Sequence, residues 1–134
     1  MSNIITKIKG TPNLYHATGC TTRQLKEAQN ELGIEFPEEY IDYVKEYGAI
    51  SFYGTEWTGL NVDGYLNVVE ATKQERELNS TIPVDCFVVE NQGIEGIIII
   101  SDGKGLIYSL QYGNKKLLCE SLLEYLEICI ARKK

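Results

Sequence analysis

Residues 32–54 read LGIEFPEEYIDYVKEYGAISFYG: one helix ends, a second begins and finishes, and a strand follows. Gly33 is placed to stop the first helix. Pro37 suits the first position of the second, where the amide it lacks would be unpaired anyway. Glu38 and Glu39 fall in the first turn, at the positive end of the helix dipole. Phe36, Tyr40, Tyr43, Val44 and Tyr47 recur at helical spacing and predict one buried face. Gly48 closes the helix, because glycine takes the left-handed conformation beyond a helix end without strain. On the opposite side Glu38, Asp42 and Glu46 stand four residues apart. Such like-charge pairs cost a helix about 0.2–0.5 kcal/mol each, so the stripe reads either as a solvated face or as a surface kept for a partner.

Working outward, Thr21 and Gln24 have capping-box spacing, and Leu25, Ala28 and Leu32 supply the inner face of a preceding helix. The two helices form an N-terminal hairpin. Further upstream, Ile4, Ile5 and Ile8 predict a short helix or strand docked on the body, and Gly10-Thr-Pro-Asn a turn. Downstream, Ile50 to Tyr53 is a short aromatic strand. Asn67-Val-Val-Glu70 opens a third helix, mostly solvated, which ends at Asn79-Ser-Thr-Ile-Pro83. Strands follow at 87–90 and at 97–100, where four successive isoleucines indicate a central strand buried on both faces. Asp102-Gly103 marks a hairpin. An alternating strand (106–112) and a short one (116–119) come next. Ser121 and Glu124 then cap a final helix, with Arg132, Lys133 and Lys134 complementing its C-terminal dipole. This order predicts a single α+β domain over residues 1–134: a helical hairpin, a mostly antiparallel sheet with helices packed on one face, and a C-terminal helix.

Several of these pieces, in this order, resemble the SMI1/KNR4 (SUKH) superfamily. They are the helix ending in Leu32-Gly33, the start Phe36-Pro-Glu-Glu-Tyr40, and Tyr47-Gly48 before an aromatic strand. Asn91-Gln-Gly-Ile-Glu-Gly96 ahead of a hydrophobic strand, the Asp102-Gly103 turn and the last helix Ser121-Leu-Leu-Glu-Tyr-Leu126 complete the set. The resemblance spans residues 21–130. Glu95 departs from it, standing where the family often has glycine or aspartate, and this puts the loop geometry there in question. The resemblance implies the SUKH fold. For bacterial members it implies an immunity protein that neutralises a cognate toxin, often a nuclease of a polymorphic toxin system. Eukaryotic members imply a regulatory or scaffold module instead. A small-ligand or peptide-binding domain is a third reading, and it would require a deep pocket lined by several tyrosines.

Composition narrows the partner. The net charge is −6, and eight acids between residues 27 and 56 face only Lys45. A phosphate backbone is gripped by clustered Lys and Arg, so no direct nucleic-acid contact is expected. An acidic surface instead steers a basic protein partner, or serves solubility alone. The N-terminus lacks the apolar core of a signal peptide and no run of apolar residues is long enough to span a membrane. Those features and four cysteines without metal-site spacing point to a cytoplasmic protein with reduced thiols.

No constellation for chemistry emerges, so the chain is expected to be non-enzymatic, with no catalytic residue, metal or cofactor. His16 is the only histidine, and Cys86, Cys119 and Cys129 read as core packing. Asp102-Gly-Lys-Gly105 lacks the phosphate-loop pattern and leads into a strand. Glu90 and Glu95 flank a glycine-containing loop and read first as solvated, with an acid–base pair as the alternative. The candidate partner surface comprises Glu38, Asp42 and Glu46 with Glu56 and the sole tryptophan, Trp57. The competing reading puts Trp57 at the edge of the core.

Overall fold

The structure is a computed structural model that describes residues 3–78 and 80–132. Asn79, Lys133 and Lys134, expected at helix ends, lie outside the described residues. The N-terminal isoleucines form a helix, α1 (Asn3–Lys9), with Ile4 and Ile8 buried. A two-residue strand β1 (Tyr15–His16) leads to the helical hairpin α2 (Thr22–Leu32) and α3 (Glu38–Tyr47). The Thr21–Gln24 capping box is present with both hydrogen bonds made, and Gly33 stops α2 in the left-handed conformation. Pro37 sits one position earlier than expected, as the cap of α3. All five apolar positions of the hairpin's second face, Phe36 to Tyr47, are buried.

The β-structure divides into two antiparallel sheets. β1, β2 (Ile50–Phe52) and β3 (Thr55–Glu56) form a small one. After a 3-10 turn at Gly64–Leu66 comes α4 (Val68–Leu78), whose first turn Asn67 caps by accepting from the amides of Val69 and Glu70 at 2.9 and 3.2 Å. The larger sheet is a meander of β4 (Phe87–Asn91), β5 (Ile97–Ser101), β6 (Ile107–Gln111) and β7 (Asn114–Cys119). The isoleucine strand is interior to it, as its sequence predicts, and Ile98, Ile99 and Ile100 are all buried. Helix α5 (Leu122–Arg132) closes the chain.

Phe87, Val89, Ile99 and Ile107 on one sheet face join α1, α2, α3 and α5 in the main core. The other face carries Val88, Ile98, Ile100 and Leu110, covered by Ala71 of α4 and by Ile82 and Cys86 of the segment after it. Helix α4 runs along the free edge of β4, where the Thr72 hydroxyl accepts from the Val88 amide at 3.0 Å. Glu39 ties the hairpin to the last helix: its two carboxylate oxygens accept from the amides of Leu122 and Leu123 at 2.8 and 3.3 Å. Two of the unpaired donors at the start of α5 are thereby satisfied by a charge that also suits the dipole.

The two sheets meet at Thr58. Its amide donates to the Val89 carbonyl (2.8 Å), and its hydroxyl donates to the Val88 carbonyl (2.8 Å) while sharing a hydrogen bond with the Tyr40 hydroxyl (2.9 Å). Tyr43 donates to the Thr58 carbonyl at 2.7 Å and accepts from the Ile50 amide at 3.1 Å. These groups are buried, and an unpaired polar group there would cost about 1–3 kcal/mol. The tyrosines of α3 therefore supply the bonds that the ladder lacks where one sheet gives way to the other. Close by, a Cβ on Gly59 would lie 1.7 Å from the Gly48 carbonyl oxygen, so only glycine lets these backbones approach.

Candidate functional site

From the Thr58 junction β3 and β4 diverge like the arms of a fork. The gap opens into a cleft of about 760 Å³, walled by β3, β4, α4 and the loop after β4. Its floor is built around Glu90. Strict alternation along β4 would put Glu90 on the same face as Val88. The register shifts between them, so Glu90 pairs with Ile99 of the main core. Such a bulge re-aims a side chain, and here it turns a carboxylate toward α5.

Glu90 is 4% exposed. Arg132 donates to one of its oxygens at 2.6 Å, and the Tyr125 hydroxyl donates to the other. The same guanidinium reaches the Tyr125 hydroxyl and Thr55 Oγ1, each at 3.3 Å, and so bridges the two arms of the fork. Burial pushes the Tyr125 phenol far above its ordinary range, with the nearby Cys129 and Glu90 adding to the effect. Burial opposes the charge on Arg132, but Tyr125, Cys129 and Glu90 more than offset it, so the guanidinium stays protonated. The floor is a neutralised ion pair with its hydrogen bonds made.

The walls are acidic and the rim aromatic. Glu56 on β3 accepts from the Tyr65 hydroxyl, which lies 2.9 and 3.0 Å from its two oxygens. Glu75 on α4 accepts from the Asn91 side-chain amide at 3.4 Å, and burial raises its carboxyl above the usual range. Tyr53, Tyr65 and Ile94 are exposed at the mouth. Tyr53 takes a left-handed φ of 49° at the tip of the β2–β3 hairpin, a conformation that costs a non-glycine residue about 1–3 kcal/mol.

The family model SUKH_5, described as SMI1-KNR4 cell-wall, matches residues 1–131. The chain belongs to the SMI1/KNR4 (SUKH) family. No curated protein matches it closely. The α+β architecture with its C-terminal helix is the one the SUKH resemblance implies.

Seen on this SUKH fold, the residues singled out by sequence separate. Glu56 and Glu90 line the cleft. Glu38 and Glu46 are exposed and Asp42 half-buried on α3, and none of the three lines the cleft. Two readings require correction. Trp57 is fully buried and cannot touch a partner. It packs edge-on against Tyr43 at 5.4 Å and stacks on Tyr125 at 5.9 Å, because the residue after β3 turns inward to reach the junction. Glu90 is not a solvated loop residue but a buried strand residue, and it is separate from Glu95, which is exposed. Glu95 adopts a φ of 50°, a left-handed conformation that glycine, asparagine and aspartate take more readily than glutamate.

Sequence reasoning did not connect Tyr125, Arg132, Thr55, Glu75 or Tyr65 with a site. One signal was readable: Tyr125 and Arg132 are seven residues apart and therefore on one side of a helix. The bulge that brings Glu90 to them leaves no mark in residue spacing.

Proposed function

We propose that the protein is an immunity protein of a bacterial polymorphic toxin system, which binds a cognate protein toxin and neutralises it without chemistry of its own. The observation that carries this reading is the family match, which runs over residues 1–131 and so takes in every described element but the last residue of α5. The net charge of −6 adds to it. A nuclease toxin needs a basic cleft to hold nucleic acid, and an acidic inhibitor meets that cleft with complementary potential, which raises the association rate.

The state of the reactive groups supports a non-catalytic protein. Glu90 is held by Arg132 and Tyr125, and so is not poised as a free base. Burial raises the Cys20, Cys86 and Cys129 thiols, the last two to about 12 and about 11, which keeps them in the weakly nucleophilic protonated form. The docking surface we assign to the toxin combines the solvent-facing acids of α3, Glu38, Asp42 and Glu46, with Glu56 at the cleft. Trp57 contributes by holding the fork together from beneath.

The test is co-expression with the toxin domain encoded beside the gene. Growth should be restored in a bacterial host, and the purified proteins should form a stoichiometric complex whose association slows as salt rises. Undiminished toxicity in cells that accumulate the folded protein would refute the reading. The description of the matching family, SMI1-KNR4 cell-wall, favours a second reading as a regulatory module of wall synthesis. A wall phenotype on deleting the gene in the absence of any toxin would decide for it.

A further inference from the structure

The charges of the cleft do not balance. Arg132 is committed to Glu90 on the floor. Among the described residues no Lys or Arg is ion-paired with Glu56 or Glu75, which stand on separate walls. Each is oriented by a neutral donor, Tyr65 for Glu56 and Asn91 for Glu75, and a neutral donor positions a carboxylate without cancelling its charge. At the mouth Tyr53 and Tyr65 add two aromatic faces. A guanidinium is the protein cation that both matches carboxylates in its plane and stacks on aromatic rings. The fork already holds one such group, since Arg132 sits between Thr55, Glu90 and Tyr125.

The geometry points to an arginine side chain of a protein partner as the occupant of this cleft, its guanidinium between Glu56 and Glu75 and its planar face toward the tyrosine rim. A volume of about 760 Å³ exceeds what one side chain fills, so the arginine enters with flanking backbone, as on an extended segment. Burial that raises the Glu75 carboxyl agrees with this, because a cation in the cleft would relieve that cost. The assignment rests on the toxin-binding reading only for the identity of the partner.

The probe is the blocked tripeptide Ac-Gly-Arg-Gly-NH2, titrated into uniformly ¹⁵N-labelled protein and followed by amide chemical shifts. Its citrulline counterpart keeps the shape and removes the charge, and its lysine counterpart keeps the charge and removes the plane. Saturable shifts confined to the amides around Tyr65, Glu75 and Asn91 are expected with arginine, at least about tenfold weaker with citrulline, a difference of about 1.4 kcal/mol. The Glu56→Gln/Glu75→Gln variant keeps the shapes that receive Tyr65 and Asn91, and with a dispersed native spectrum it should lose saturation. No saturation by about 10 mM arginine peptide, weaker than the millimolar range of the poorest specific ligands, would overturn the proposal. Equal response to citrulline or to lysine would do the same. So would a shift at Glu56 and Glu75 on changing Lys133 and Lys134 to alanine, since it would assign the cation to the chain's own end. Toxin neutralised equally well by the Gln variant would remove the arginine site and leave the immunity reading standing. Peptide binding without toxin neutralisation would do the reverse.

Discussion

Replacing Arg132 by methionine isolates the ion pair on which the fork depends. The Glu90 side chain is 5% exposed and that of Arg132 33%, and they meet at 2.6 Å. Methionine retains much of the apolar stem and removes the guanidinium, leaving the carboxylate with Tyr125 as its remaining side-chain donor. Breaking a fully buried pair costs about 3–5 kcal/mol, chiefly through the charge left behind. One third of the arginine side chain is open to the cleft, so water can follow it in and resolvate part of Glu90. That discount brings the expected loss to about 2–3 kcal/mol. Trp57, the single tryptophan and fully buried, reports unfolding by fluorescence. With a urea slope of about 1–3 kcal/mol per molar, the midpoint should fall by about 0.7–3 M.

A second variant guards against simple packing damage. Arg132→Met/Glu90→Gln has no charge to strand, so it should recover more than half of the loss. Lys73→Met removes a pair with Glu31 whose side chains are 51% and 55% exposed, and should barely move the midpoint. An Arg132→Met protein within about 0.5 kcal/mol of the parent, the scatter of ordinary surface changes, would refute the reasoning. So would a double variant no more stable than the single one.

Further outcomes follow from the same geometry. Trp57→Ala should destabilise by about 3–5 kcal/mol in urea unfolding, as large aromatic truncations in a core do. Thr58→Val removes the hydroxyl shared by Tyr40 and Val88 and should cost about 1–3 kcal/mol by the same measurement. Stability should decline as pH rises from about 9 toward 12: the native fold holds protons on Cys86 and Cys129, raised by burial to about 12 and about 11, that the unfolded chain releases from an ordinary thiol near 9.0. Thermal melts across that range check this, and a flat profile would count against it. Charge reversal at Glu38 and Glu46 should slow toxin association in stopped-flow kinetics while lowering stability by no more than about 1 kcal/mol, the dipole contribution of Glu38 in the first turn, because both are exposed on α3.

The hairpin was legible because its signals are local. A capping box, a proline at a helix start, two stop glycines and a five-residue apolar face all act within one or two turns. The isoleucine run at 97–100 was legible for a related reason: a strand inside a sheet covered on both faces is apolar on both sides. The cleft was not legible, because it depends on three long-range events. Thr58 joins β4 some thirty residues later in the chain, the bulge turns Glu90, and α5 brings Tyr125 and Arg132 to meet it. Trp57 was divided between rim and core for the same reason. The sequence around it looks like an exposed loop, and only the junction at the next residue, Thr58, pulls it inward.

The nine tyrosines show how this arrangement divides stability from recognition. Tyr40, Tyr43, Tyr47 and Tyr125 are buried. Phenylalanine would fill most of the same volume, but it could not close the hydrogen bonds at Thr58, at the Ile50 amide or at Glu90. Those bonds lie where the sheets part, so a fork there requires residues that are apolar in body and polar at one end. Tyr53 and Tyr65 belong to the other group, at the mouth of the gap that the buried tyrosines keep open. Rigid aromatic groups with few rotatable bonds lose little entropy on contact, which would suit this rim to the partner proposed above. A single composition bias therefore has two physical origins, and they are separable by substitution. Tyr125→Phe should lower stability through Glu90 without altering the rim. Tyr65→Phe should leave stability unchanged while releasing Glu56 from its donor and weakening whatever cation the cleft receives.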